Sequence, residues 1–223
     1  MSNVPSESSD AGSEDEVAST HELPRGNDSL FNCGKHYREN FQLNFHTREY
    51  DYIRSFKEAA DGVIQAAVDD GGDPSWRFLS ACFLYRHYLE LALKRIIRRD
   101  CWIRGVDFNP ADWQNHKLPT LWNASKDAVG NALEEQYHPH IKIVERIVNE
   151  FHLIDPTGQE LRYDKKITGR GREPRVITPS LEDVRDKSVG IVNMHEVMGR
   201  LDEFFGWVDH CMSEWGEANR AGF

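Results

Sequence analysis

The fold is decided by residues 73–105, DPSWRFLSACFLYRHYLELALKRIIRRDCWIRG. Asp73 is a good helix cap and Pro74 suits a first helical position, where no backbone donor is needed. No further Pro or Gly interrupts the run before Gly105, which is placed to close a helix in the left-handed conformation. Arg95, Arg98 and Arg99 crowd the end, where the helix dipole favours positive charge. A helix of this span is roughly 45 Å long. Its middle is apolar on nearly every side, from Phe78 through Leu84, Leu89 and Leu93 to Ile97. A helix of that kind is buried among other helices. Arg86, His87, Glu90 and Lys94 lie inside the apolar run and require an explanation.

Working outward, the pattern stays helical. Between Thr47 and Asp70, Tyr50, Ile53, Phe56, Ala60, Val63, Ile64 and Ala67 recur at threes and fours, and Gly71-Gly72 ends the segment. The short link to Pro74 predicts antiparallel packing of these two helices. Residues 106–115 read as a polar loop, and His116 to Ala128 as a shorter helix. Pro139 opens another helix carrying Ile143, Val144, Ile147, Val148, Phe151 and Ile154. It stops at Asp155, because the residue before Pro156 is pushed out of the helical region. Residues 156–190 lack helical periodicity, with an extended pairing expected at Arg175–Thr178. A last helix starts at Asn193 as its cap, with Glu196 completing a capping box. The expected fold is all-α: a bundle of four main helices plus one short helix, with a long basic loop before the last helix.

The totals agree. The 223 residues suit one domain, and no apolar run is long enough for a membrane span. Residues 1–30 hold seven acidic residues and one basic residue, Arg25, so most of the net charge of −10 lies there. That segment is expected to be a disordered acidic tail, with residues 31–223 as a single domain. The start is polar and acidic, and the four cysteines form no C-x-x-C pair. No secretory signal, disulfide scaffold or zinc site is expected, and a cytoplasmic location follows. His87 and Glu90 supply only one H-x-x-E fragment, so neither metal nor other cofactor is expected.

Two sets of residues carry functional expectations from chemistry. Arg86, Glu90 and Lys94 are four apart, share a helix face and alternate in sign, with His87 beside them. Buried charges must be paired. One reading is a closed ion-pair ladder joined by His116 and Arg162. The other is a polar pocket in which His87, Glu90, Lys94 and His116 bind an anion or perform acid–base chemistry, open to solvent beside His87 and Glu90. The second set is the loop from Arg162 to Arg175, RYDKKITGRGREPR, with a local charge of +4. Lys165, Lys166, Arg170 and Arg172, with Arg95, Arg98 and Arg99, form a candidate footprint for RNA or another polyanion.

The order of FLYRHYLELALK at residues 83–94, then His116-Lys-Leu-Pro-Thr-Leu-Trp122, then Leu161-Arg162-Tyr163, then a Met- and Phe-rich closing helix resembles bacterial HEPN-like helical proteins. The likeness runs from about Tyr50 to Trp215. It implies a helical bundle, commonly a homodimer, RNA-associated in toxin–antitoxin, phage-defence or related settings. Arg162 and Tyr163 are assigned with Arg86, His87, Glu90, Lys94 and His116 to the buried polar network or pocket. Many members are metal-independent ribonucleases, and others are non-catalytic modules that bind a partner protein or a nucleotide-type ligand. The family's Arg-x(4–6)-His signature falls here on Arg146 and His152, as a catalytic pair of an endoribonuclease. Ile147 stands where the family usually has a polar residue. Six residues of straight helix set the two side chains about 120° apart, so they converge only through a kink or across a dimer interface.

Overall fold

The computed structural model describes residues 48–71, 75–168, 176–179 and 181–221. All of these belong to one compact unit, Thr47–Phe223. The acidic segment and its boundary at residue 30 lie outside the described residues.

Helix α1 (Glu49–Asp69) turns at Gly71 into the long α2 (Ser75–Arg104). A one-turn helix α3 (Pro110–Gln114) and α4 (Leu118–Ala132) follow. A single 3-10 turn (Glu135–Tyr137) leads into α5 (His138–Ile154). Strands β1 (Lys165–Thr168) and β2 (Val176–Pro179) form an antiparallel hairpin with Lys166 opposite Thr178. Helix α6 (Ile191–Ala221) closes the bundle. The fold is an all-α bundle, and the hairpin is a small excursion in the loop expected to be extended.

Helix α2 is the axis, packed against α1, α4 and α6, while α5 packs on α4. Its buried residues Ala81, Cys82, Tyr85, Tyr88, Leu89, Ala92, Leu93, Ile96 and Ile97 wrap much of its circumference. The flanking helices each bury one stripe: Ile53, Ala60, Ile64 and Ala67 on α1, and Leu121, Trp122, Ala128 and Val129 on α4. Helix α5 contributes Ile141, Val144, Val148 and Phe151, and α6 contributes Met194, Met198, Leu201, Phe205, Val208 and Met212.

The end of α2 is a Schellman motif, formed as the glycine predicts. Gly105 has φ +65° and donates to the Trp102 carbonyl at 3.3 Å, while Val106 donates to Cys101 at 2.9 Å. Three boundaries differ from the sequence reading. The polar loop contains α3, because Asn109 Oδ1 accepts the Ala111 amide at 3.0 Å ahead of Pro110, a cap–proline pair that nucleates a turn. Helix α4 starts at Leu118 and runs to Ala132, four residues beyond the expected end. Helix α6 starts at Ile191, and the Met194 amide already bonds the Gly190 carbonyl at 2.8 Å. Asn193 is therefore within the first turn, and the capping box it was to form with Glu196 does not define the helix start.

Candidate functional site

The four polar residues of α2 do two different things. Arg86, Glu90 and Lys94 are buried. Glu90 is the hub: Oε2 accepts from Arg86 at 2.7 Å, and Oε1 accepts from Lys94 at 2.7 Å and lies 2.9 Å from His116 Nδ1. The far nitrogen of Arg86 donates to the His116 carbonyl, which pins the loop ahead of α4 to α2. Arg86 Nε faces Asp155 Oδ2 at 3.2 Å, an ion pair whose atoms are not aligned as a hydrogen bond.

Asp155 is fully buried, and its Oδ1 accepts the Glu160 amide at 3.1 Å. Glu160 in turn takes the Thr157 hydroxyl at 2.8 Å. The turn between them passes so close to Arg86 that a Cβ on Gly158, at φ +80°, would stand 3.1 Å from its guanidinium. The ladder therefore runs Asp155–Arg86–Glu90–Lys94, with His116 on Glu90. Asp155 and Glu160 are members of this network that the sequence reading did not assign. Their signal was present in Asp155-Pro-Thr-Gly-Gln-Glu160, two acids flanking a turn, but Asp155 was taken only as a helix stop.

The electrostatics follow from this wiring. Burial pushes the Glu90 carboxyl up, but Lys94, His116 and Arg86 outweigh burial and hold it at about 2. Burial and the adjoining Glu160 push Asp155 up to about 6, against the pull of Arg86. Burial lowers the His87 pKa, and Arg162, Arg86 and Lys94 add to that against Glu90, so the ring favours its neutral form.

His87 is outside the ladder. It lies edge-on to Phe56 with centroids 4.5 Å apart, and half-buried at the wall of a cleft. This cleft of about 410 Å³ opens between α1, α2 and the loop ahead of α4, with Tyr52, His87, Glu90, Lys94, Gln114 and His116 among its lining residues. The ladder is thus closed at its Asp155 end and open to solvent at its Lys94–His116 end. The ion pairing expected among Arg86, Glu90 and Lys94 is formed and includes His116, and a cleft lies beside His87 and Glu90.

Arg162 and Tyr163 do not join it. The Arg162 guanidinium sits over the Phe83 ring at 5.3 Å, and exposed Tyr163 lines a separate groove with Leu79 and Leu181. Proximity in sequence to Asp155 did not bring their side chains to Glu90.

No protein-family model, curated protein or solved structure matches this chain.

The Arg146–His152 pair is not brought together within one chain. Helix α5 is continuous across both residues. Arg146 is 70 % exposed and 3.9 Å from Glu150. His152 is half-buried, with Nδ1 enclosed and without a hydrogen-bond partner among the described residues. Burial, then Arg86 and Lys117, lower its pKa.

The arginines at the end of α2 are engaged within the protein. Arg95 grips Asp209 of α6 through two bonds, 3.1 and 2.9 Å, and reaches Glu49 of α1 at 3.2 Å. Arg98 pairs with Glu49, and Arg99 bonds Ser213 and approaches Asp209 at 3.5 Å. A second cleft, of about 320 Å³, is bounded by Glu49, these three arginines and Trp102. Lys165 is exposed on β1 and Lys166 follows it in the hairpin, while Arg170 and Arg172 lie outside the described residues. Among the described residues no helix is long and apolar enough to cross a membrane.

Proposed function

We propose that the chain is an RNA-associated, HEPN-like helical protein of bacterial conflict or phage defence, which binds RNA along the α1–α2 face. The observation that carries this reading is the cleft beside His87 and His116. It places a buried lysine, two histidines and the exposed Tyr52 ring around a solvent-open space of about 410 Å³. That size suits a nucleotide unit, an aromatic rim residue suits base stacking, and cations suit phosphate. Glu49 lines this cleft and the neighbouring one bounded by Arg98 and Trp102, so the two form adjoining stations for successive nucleotides. Fluorescence anisotropy with a labelled single-stranded RNA tests the reading. Affinity is expected to fall steeply with salt and to drop in Tyr52→Ala and His116→Ala. Absent or salt-insensitive binding overturns it.

The unbroken course of α5 across both residues supports binding over cleavage by Arg146 and His152 in a monomer, and leaves a homodimer as the route to a ribonuclease. Metal-free incubation with total RNA, compared with His152→Ala, separates the two: cleavage lost in the variant assigns the pair. A second reading, a non-catalytic module that docks a partner protein, draws on an apolar groove of about 550 Å³ among Leu79, Leu153, Leu161 and Val189.

A further inference from the structure

The tautomer of His116 is fixed by its neighbour. Glu90 is nearly enclosed and remains an ionised carboxylate, which accepts hydrogen bonds and donates none. The 2.9 Å contact between His116 Nδ1 and Glu90 Oε1 is therefore an Nδ1–H donation. In the neutral ring the lone pair is then on Nε2. The side chain is 56 % exposed and lines the open cleft, so that nitrogen is within reach of a bound molecule. The backbone is held as well, because Arg86 donates to the His116 carbonyl. Lys94 bonds the same carboxylate oxygen at 2.7 Å, which sets an ammonium beside the imidazole. An imidazole oriented by a carboxylate, with one nitrogen committed and the other free to face a cleft that a lysine also lines, is the arrangement of an activated nucleophile.

We infer that His116 is a phosphoryl-acceptor histidine, modified at Nε2 by a small phosphorylated donor that enters the cleft. The Nε2 lone pair forms the new N–P bond while the bond from phosphorus to the donor's leaving group breaks and takes its electron pair with it. With phosphoramidate as donor, the leaving nitrogen takes a proton from water and departs as ammonia. The Nδ1 proton stays in place, and Glu90 faces the positive charge that develops on the ring. Lys94, which lines the same cleft, adds positive charge to the space the phosphoryl group enters. The donor enters the cleft proposed above for RNA, but the two are tested apart: phosphoryl transfer is read without RNA and RNA binding without a donor, so each can fail without the other.

Incubating the full chain with phosphoramidate and mapping the adduct by mass spectrometry and phosphorus NMR tests this. The expected product carries one acid-labile phosphoryl group on Nε2 of His116, and His116→Ala loses it. His210 is the internal control: it is 67 % exposed, more than His116, but stands 3.7 Å from Glu214. His116 is expected to react severalfold faster than His210. Equal rates, or equal labelling of the His116→Ala chain, overturn the proposal. Because Glu90→Gln removes a buried charge and endangers folding, the tautomer is read instead by nitrogen NMR of the intact chain. An unprotonated Nε2 is expected, and a proton on Nε2 overturns the assignment.

Discussion

Glu90 accepts three charge-assisted contacts at one buried carboxylate. Replacing it by Gln leaves Arg86 and Lys94 buried beside a neutral group. The expected loss is about 3–5 kcal/mol, read from the denaturation midpoint. The pH dependence has a definite sign. The Glu90 pKa is lowered from 4.5 to about 2 in the folded chain, so its stabilisation is complete above pH 4.5 and is lost as pH falls toward 2. That loss amounts to about 3 kcal/mol. His87, also lowered, acts in the same direction as pH falls below its ordinary value of 6.5. Asp155 acts oppositely: its pKa is raised from 3.8 to about 6, so its protonated form favours the fold, and stability falls as pH rises through that interval. Acid unfolding of Glu90→Gln is expected to be flatter than wild type below pH 4. Gly158 and Gly71 make a second comparison. Both have positive φ, but a Cβ at Gly158 meets Arg86 at 3.1 Å and one at Gly71 meets nothing within 4 Å. Gly71→Ala should cost about 1 kcal/mol and Gly158→Ala more, about 2–3 kcal/mol, seen as a larger fall in Tm.

Among the elements, α6 depends on both a stripe and a clamp. The stripe was readable, since Met194, Met198, Leu201, Phe205, Val208 and Met212 recur at helical spacing and are all buried. The clamp was not, because Arg95 and Arg99 find Asp209 and Ser213 across 114 positions of sequence. Their crowding at the end of α2 looked like an outward basic face, and much of that charge is neutralised by Glu49 and Asp209. Asp209→Asn is expected to weaken the C-terminal half of α6 locally. Hydrogen exchange should rise in residues 205–217 while α1 and α4 stay protected, and the difference should shrink at high salt, which already screens the pair.

At the scale of the molecule, one continuous core joins all the long helices through α2. Leu93→Ala removes a fully buried side chain from the middle of that core and should cost about 3 kcal/mol. Because nothing in the described unit has a core of its own, helix content and tryptophan fluorescence are expected to fall together. Separated transitions would refute a single cooperative core.

The periodic apolar residues, the capping glycines and the proline positions determined by themselves that this chain forms a helical bundle about a buried α2. Those signals are local: a helix needs its face and its ends, and both are written within a turn or two of each residue. The alternating charges on α2 also announced a ladder, since buried charges of opposite sign four residues apart must pair. Its ends could be decided only by tertiary structure. Asp155 reaches Arg86 because a turn 69 residues later folds over α2, and the opening at His116 exists because the loop ahead of α4 covers Glu90 but leaves the face toward α1 uncovered. Which end of a buried network meets solvent depends on what packs over it, and packing between distant segments leaves no periodic trace in the sequence.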